Sequence, residues 1–145
     1  MNLVHLAQVP QLTMNVIFAL DASESIGSAI FAQTKFFVSQ VIDYFDVDNG
    51  LVRVGACSYS ERVSSCFNLS DHTSVNAVKN ATTFLKYSGG NANTAAVLAY
   101  IRTVMLTSAA GYRSNVPTLI VILTDGPSRD PFGALVSSYN YSFYF

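Results

Sequence analysis

The most informative segment of this chain is Val16-Ile17-Phe18-Ala19-Leu20-Asp21-Ala22-Ser23-Glu24-Ser25-Ile26-Gly27. Its apolar run ends abruptly in an acid, and two serines follow at alternate positions. An uninterrupted apolar run of this kind is typical of a strand buried on both faces of a sheet. In an open parallel sheet the ligand site lies beyond the carboxyl ends of the strands. We therefore expect Asp21, Ser23 and Ser25 to lie at a site. The alternative is a polar strand-to-helix turn with Ser25 or Ser28 as a helix cap.

A second apolar segment is also followed by polar residues that include an acid. Residues 119–123 are all apolar, and Thr124-Asp125-Gly126 follows them. Two parallel strands that each end in an acid would bring Asp21 and Asp125 to one edge of the sheet. The small polar loop at 88–93 precedes Thr94 and a helix, and it can reach the same edge. Carboxylate and hydroxyl oxygens suit Mg²⁺ or Mn²⁺ rather than zinc or copper. The candidate metal site therefore comprises Asp21, Ser23, Ser25, Thr94 and Asp125.

The remaining periodicity alternates helices with strands. Apolar spacing predicts a helix from Ile30 to Phe45, with Ile30 and Phe37 among its apolar positions, and further helices over 75–85 and 95–106. Ser70 or Asp71 is the predicted cap of the 75–85 helix. Strands are predicted over 51–59 and 63–69, joined as a hairpin. This order predicts an α/β domain: a Rossmann-like open, mostly parallel sheet with helices on both faces and one antiparallel edge strand.

Composition excludes several classes of function. The 145 residues suit one domain, and only 12% are charged, about half the ~25% of typical globular proteins. With a net charge of −1 and no cluster of basic residues, neither nucleic acid nor an anionic membrane is an expected partner. No apolar run approaches the ~20 residues that span a bilayer. The two histidines, His5 and His72, lie in no catalytic motif, and there is no P-loop or zinc spacing. We therefore predict that the chain is not an enzyme.

Three segments together resemble the von Willebrand factor type A domain and its metal-ion-dependent adhesion site. They are Asp21-Ala22-Ser23-Glu24-Ser25-Ile26-Gly27, Gly89-Gly90-Asn91-Ala92-Asn93-Thr94 and Leu123-Thr124-Asp125-Gly126. Val52-Arg53-Val54-Gly55 with Tyr59-Ser60, and Leu85-Lys86-Tyr87, also resemble the family. The likeness is greatest to extracellular-matrix members such as the matrilins and type VI collagen.

The resemblance implies a function and a set of roles. Ser23, Ser25 and Thr94 would be direct metal ligands, and Asp21 and Asp125 would act mostly through water or hydrogen bonds. Neutral hydroxyl ligands leave the charge of the ion under-compensated, so an open coordination position favours a carboxylate of a partner protein. The implied protein is a secreted or extracellular adhesion module that binds matrix or cell-surface proteins such as collagens, although the sequence shows no export signal. The alternatives are a truncated, non-binding structural fragment and, less favoured, a metal-dependent hydrolase.

The chain departs from the family pattern at two places. Ala95 stands where the family usually has glycine after the threonine. Family members also continue with further helices and strands beyond the position of Asp125. We therefore divide the chain into an N-terminal extension at 1–13, a partial von Willebrand factor type A domain at 14–130 and a divergent tail at 131–145. Alternating residues over 138–145 predict a strand that pairs beside 119–123. The competing interpretation is a disordered terminus.

Two further features concern covalent chemistry. Cys57 and Cys66 flank the predicted hairpin turn, where they form either a disulfide or two small half-buried apolar side chains. Three sequons mark Asn68, Asn80 and Asn140 as candidate N-glycosylation sites, which suits an extracellular glycoprotein with few surface charges.

Overall fold

A computed structural model describes residues 12–125 and the backbone of residues 141–144. Its strands and helices, in chain order, are β1 (Met14–Asp21), α1 (Gly27–Ile42), β2 (Val52–Tyr59), β3 (Val63–Phe67), α2 (Val75–Thr83), α3 (Thr94–Tyr100), β4 (Thr118–Leu123) and β5 (Tyr141–Tyr144). The strand order across the sheet is β3-β2-β1-β4-β5, and of these strands β3 is the antiparallel one. The predicted open, mostly parallel sheet with an antiparallel edge strand is confirmed.

β1 lies at the centre of the sheet and is buried along its whole length. Val16, Phe18 and Leu20 pack in the layer that contains α1 and α2. Ile17 and Ala19 pack in the opposite layer, against α3 and the π-helical turn Ile101–Met105 that continues it. The strand is apolar throughout because helices cover both of its faces. This arrangement fixes the end of β1, and with it Asp21, at the middle of one edge of the sheet.

α1 differs from its sequence prediction in both its start and its buried face. Its N-cap position is Ile26, which makes no side-chain cap, so the alternative that Ser25 or Ser28 caps the helix is wrong. Ile30 and Phe37 were expected on the apolar face but are 50% and 52% exposed. The apolar residues of this helix occupy more than one face, and successive positions turn by about 100°. The residues that it buries against the sheet are Phe31, Val38 and Ile42.

α2 begins at the predicted residue Val75 and ends two residues earlier than predicted, at Thr83, and its cap differs from the prediction. Its cap is Ser74, whose hydroxyl accepts a hydrogen bond from the main-chain N–H of Ala77 at 3.1 Å. The predicted caps, Ser70 and Asp71, lie in the preceding turn. There Asp71 accepts a hydrogen bond from the main-chain N–H of Asn68 at 2.7 Å. An acid followed by several polar residues offers more than one cap position, and packing on the sheet selects among them. No helix in the described part of the chain is both long and apolar enough to cross a bilayer.

Cys57 and Cys66 form a disulfide between β2 and the edge strand β3. The two residues lie directly opposite each other in the antiparallel register, with their Cα atoms 4.2 Å apart. The Cys57 sulfur is buried in the layer that contains α3 and lies 3.4 Å from the sulfur of Met105 in the same layer. Of the two alternatives that the sequence left open, the structure therefore has the bridge.

The tail contributes β5, which runs parallel to β4 from the Thr118–Tyr141 pair to the Val121–Tyr144 pair. The expected pairing of the tail beside residues 119–123 is confirmed for residues 141–144. Residues 138–140 and 145 of the predicted strand lie outside the described residues. β4 consequently has a neighbour on each side, as a strand of its apolar character requires.

Candidate metal centre

Asp21 is held between two neighbouring strands at the carboxyl end of the sheet. In the β1–β2 register it lies opposite Tyr59. In the β1–β4 register Leu20 lies opposite Leu123, so Thr124 comes next to Asp21 on the other side. The Thr124 hydroxyl donates a hydrogen bond to Asp21 Oδ2 at 2.7 Å. The two acids that the sequence placed at strand ends are therefore brought to one edge by the pairing of β1 with β4.

The turn after β1 folds back on the same carboxylate. The main-chain N–H of Ser23 donates to Asp21 Oδ1 at 2.9 Å, so both oxygens of Asp21 accept hydrogen bonds. The hydroxyl oxygens of Ser23 and Ser25 lie 3.1 Å apart. Ser25 in turn donates to Asp125 Oδ1 at 3.4 Å. Four of the five predicted site residues thus form one continuous chain of contacts: Asp21, Ser23, Ser25 and Asp125.

The loop at 88–93 is fastened to this turn by main-chain hydrogen bonds in both directions. The N–H of Gly89 donates to the carbonyl of Ala22 at 2.9 Å, and the N–H of Glu24 donates to the carbonyl of Gly90 at 2.8 Å. Gly89 and Gly90 have φ values of 72° and 76°, a left-handed conformation that glycine adopts without strain. Asn93 then caps α3 by accepting from the N–H of Ala96 at 3.1 Å. The two glycines therefore allow the chain to turn, and this turn places the start of α3 at the site.

Thr94, the fifth predicted residue, joins the others through a side chain that sequence reasoning did not select. Its hydroxyl lies 3.1 Å from the hydroxyl of Tyr59, which also hydrogen-bonds Thr124. Burial raises the pKa of Tyr59 to about 12, and the nearby charges of Asp21 and Asp125 act in the same direction. The sequence could have indicated Tyr59 through its place at the end of a strand, because Tyr59 ends β2 just as Asp21 ends β1. Ala95, the departure from the family pattern, is accommodated inside α3.

The site combines a buried base with an exposed rim. Asp21, Ser23 and Thr94 are at most 2% exposed, whereas Ser25 and Asp125 are exposed. Within residues 12–125 no three His, Cys, Asp or Glu side chains come together as a metal-binding group. The oxygens that could hold an ion here are therefore hydroxyls supported by two carboxylates. That set suits a hard cation with oxygen ligands.

The other candidate site residues lie away from this edge. Asn68 follows β3 and is half-buried, whereas Asn80 is exposed on α2. Asn140 lies outside the described residues. His72, which lies in no catalytic motif, is half-buried and packs edge-on against Phe67 with ring centroids 5.4 Å apart.

Comparison with known proteins identifies the family of this chain. The family model of the von Willebrand factor type A domain matches residues 15–142. The chain belongs to this family, and the resemblance found in the sequence is confirmed.

Individual relatives include proteins of the collagen and matrilin groups. The chain is 35% identical to the mouse (Mus musculus) collagen alpha-4(VI) chain over 118 residues, which cover 80% of this chain and 5% of the relative. It is 34% identical to mouse von Willebrand factor A domain-containing protein 2, covering 81% and 15%, and 32% identical to mouse matrilin-2, covering 81% and 13%. The chain therefore spans a small fraction of the length of these relatives.

Solved structures show the same fold. Proximal thread matrix protein 1 from the mussel byssus superimposes with a TM-score of 0.75 at 21% identity, covering 83% of this chain and 33% of that one. A second structure of that protein, described as having a zinc-occupied MIDAS motif, gives a TM-score of 0.75 at 20% identity with the same coverage. MIDAS abbreviates metal-ion-dependent adhesion site.

Proposed function

We propose that this chain is an adhesion module that binds Mg²⁺ or Mn²⁺ at the carboxyl end of its sheet and captures a carboxylate of a partner protein. The observation that carries the proposal is the 3.1 Å contact between the hydroxyl oxygens of the buried Ser23 and the exposed Ser25, where the buried base of the polar network meets its rim. Membership in the von Willebrand factor type A family and the zinc-occupied motif of the mussel protein support it.

The spacing of the serine oxygens fits an octahedral cation. Mg²⁺ takes oxygen ligands at about 2.0–2.1 Å, so two neighbouring ligands of one octahedron lie about 3 Å apart. The 3.1 Å between the oxygens of Ser23 and Ser25 matches one edge of such an octahedron. Thr94, whose hydroxyl is the other buried candidate, would be the third ligand. Its oxygen is oriented by Tyr59.

The two carboxylates have different supporting roles. Both oxygens of Asp21 accept hydrogen bonds, from Ser23 N–H and the Thr124 hydroxyl, which hold the carboxylate in place. We propose that it acts on the ion through its charge and through water or hydrogen bonds. Asp125 is exposed and accepts from Ser25, so it would orient that hydroxyl. A bound Mg²⁺ would supply a Lewis-acid position for an incoming carboxylate. The neutral hydroxyl ligands leave that position electrophilic, because they add no charge of their own.

The partners that we propose are acidic surfaces of matrix or cell-surface proteins, such as collagens, outside the cell. The collagen and matrilin-2 relatives support this class of partner. A disulfide in a small domain supports an oxidising, extracellular compartment. We propose no reaction, because the residues of the site are a ligand set without a positioned base or nucleophile.

The metal step is tested by thermal unfolding of the full chain with Mg²⁺, with Mn²⁺ and with EDTA. A cation that binds the folded state raises Tm in a concentration-dependent way, and EDTA reverses the rise. Thr94→Ala should abolish the rise. Its baseline Tm also falls modestly, since the Tyr59 contact is worth about 1 kcal/mol. Thr103→Ala, at an exposed threonine of the π-helical turn, should keep the full rise.

The capture step is tested separately by adhesion to immobilised collagen. Binding should require Mg²⁺, disappear in EDTA and in the Thr94→Ala variant, and fall sharply on collagen whose carboxylates have been esterified. Adhesion that is indifferent to EDTA would contradict the metal-dependent mechanism. Absence of any cation-induced Tm rise would instead identify the chain as a non-binding structural module.

A further inference from the structure

A groove of about 370 Å³ lies between the edge strand β3 and helix α2, away from the candidate metal centre. Its wall is mostly apolar, and Phe84, at the end of α2, is 72% exposed. The residues that line the groove are Ser65, Cys66, Phe67, His72, Ala77, Asn80, Ala81, Phe84 and Leu85.

This groove adjoins an unpaired sheet edge. β3 pairs with β2 on one side, and in the described part of the chain no strand pairs with its other side. An open strand edge beside exposed apolar side chains is a surface through which proteins self-associate, so native proteins usually cover it. The charge-poor composition, with 12% charged residues, provides little electrostatic protection against such association.

Asn80 is placed so that a group attached to it would cover the groove and the β3 edge. It is exposed on α2, forms part of the groove wall, and begins the sequon Asn80-Ala81-Thr82. Its side-chain amide makes no hydrogen bond to the described residues, so it is available. Phe84 lies four residues further along and therefore occupies the neighbouring position on the same side of the helix end. Of the sequon asparagines that the structure describes, Asn80 is the one in the groove wall.

We propose that Asn80 carries an N-linked glycan whose first sugars pack on Phe84 and cover the groove and the β3 edge. The proposal rests on the proposed extracellular location and is independent of the metal site. In the modification, Asn80 Nδ2 forms a bond to C1 of N-acetylglucosamine, and the C1–O bond to a lipid diphosphate oligosaccharide donor breaks. The amide proton leaves with the released diphosphate. The apolar C–H face of a sugar ring then packs against the exposed aromatic ring.

The structure also sets the time of modification. Thr82, the hydroxyl residue of the sequon, is completely buried, and its hydroxyl donates to the carbonyl of Val78 at 2.9 Å. A transferase that reads this hydroxyl must therefore act before α2 packs on the sheet. The glycan is added to the unfolded chain, and the exposed position of Asn80 lets the chain fold with the sugar in place.

The test uses the full chain, secreted from eukaryotic cells behind an added signal sequence, and compares Asn80→Gln with Asn76→Gln. Asn76 is an exposed asparagine of the same helix that is not part of a sequon, so it is a matched control. Glycopeptide mass spectrometry should find a glycan at Asn80 in the wild-type chain and in Asn76→Gln. Asn80→Gln should lose that glycan, bind more of an apolar fluorescent dye and self-associate by light scattering.

A double variant tests whether the self-association occurs through the exposed ring of Phe84. Asn80→Gln with Phe84→Ser should return dye binding and self-association to the wild-type level. The proposal is overturned if Asn80 of the secreted chain is unmodified, or if Asn80→Gln behaves like the wild-type chain in both assays. It is also overturned if the glycosylated wild-type chain forms dimers that Phe84→Ser dissociates, since a second copy and not the glycan would then occupy the groove. The Mg²⁺-induced Tm rise should be unchanged in Asn80→Gln, which separates this test from that of the metal site.

Discussion

The two ends of the sheet both carry polar side chains, but they use their hydrogen-bonding capacity differently. At the amino end, the Arg113 guanidinium donates to the carbonyls of Met14, Gly50 and Leu51 and to the side-chain oxygen of Asn15, at 2.7–3.2 Å. These acceptors belong to the starts of β1 and β2. Burial and the neighbouring charge of Arg53 lower the pKa of Arg113.

At the carboxyl end the polar groups bind mostly to one another. Asp21 accepts from Thr124 and from the main-chain N–H of Ser23, and the oxygens of Ser23 and Ser25 lie side by side. Each hydroxyl has two lone pairs, so a serine that makes one contact still has acceptor capacity. The rim residue Ser25 is exposed, and that capacity faces solvent.

A structural polar cluster and a candidate binding site differ in how many of their acceptors have donors. At the amino end, donors of one guanidinium are matched to fixed main-chain acceptors, and the cluster holds the strands in register. At the carboxyl end, acceptors outnumber donors, so the cluster has unused oxygens around two negative charges. Such an excess of oxygen acceptors is what a hard cation would neutralise.

The largest expected effect is at the amino end. Arg113→Ala should lower the free energy of unfolding by about 2–4 kcal/mol, because it removes the side-chain donors to the Met14 and Gly50 carbonyls and to the Asn15 side chain. Urea unfolding measures this loss. Arg102→Ala, at an exposed arginine of the π-helical turn, should change stability by less than about 0.5 kcal/mol.

Arg113→Ala should leave the Mg²⁺-induced rise in Tm intact. If Arg113→Ala removed the cation response as well, the two ends of the sheet would be coupled, and the contrast between a structural end and a binding end would fail.

An intermediate effect is expected from Tyr59 at alkaline pH. The ordinary tyrosine pKa of 10.0 applies to the unfolded chain, whereas the folded value is about 12. Between these values the folded state holds a proton that the unfolded state has lost, so stability falls as pH rises and levels off above pH 12. Because proton binding at Tyr59 is linked to folding, the free energy of unfolding falls by about 2–3 kcal/mol over this range. Urea unfolding between pH 9 and 12 should show a smaller decline for Tyr59→Phe than for the wild-type chain, and equal declines would contradict a buried phenol.

The smallest effect on stability, with a large effect on binding, is expected at the rim. Ser25→Ala should change the free energy of unfolding by less than about 0.5 kcal/mol, because the side chain is exposed. It should nevertheless weaken Mg²⁺ binding by about tenfold or more, as the loss of a ligand oxygen predicts. Isothermal titration with Mg²⁺ measures the affinity.

The matched control is Ser28→Ala, at an exposed serine of the first turn of α1. This substitution should alter neither the free energy of unfolding nor the affinity for Mg²⁺. Equal Mg²⁺ affinity of Ser25→Ala and the wild-type chain would remove Ser25 from the proposed ligand set.

Local sequence was sufficient for several parts of the fold because the physical causes are themselves local. The apolar run of β1 indicated burial on both faces, and the acid that ends it marked the edge of the sheet. Alternating residues in the tail predicted the pairing of β5 with β4. Local sequence was insufficient for α1, whose apolar residues exceed one face, and for α2, where Ser70 and Asp71 were predicted as caps but Ser74 is the cap.

The order of strands and helices along the chain, the family and the five residues proposed to surround the ion follow from the sequence alone. Three of the five lie at or just after the end of the apolar strand β1, Asp125 follows the apolar strand β4, and Thr94 follows a glycine-containing loop, so each has a local pattern that marks it. Tertiary structure decided how these residues are connected. Tyr59 and Thr124 flank Asp21 because β2 and β4 pair with β1 in one particular register, and no local pattern specifies which residues meet across strands. The Cys57–Cys66 bridge likewise depends on the β2–β3 register. The exposure that distinguishes Asn80 from its neighbours depends on which face of α2 packs on the sheet.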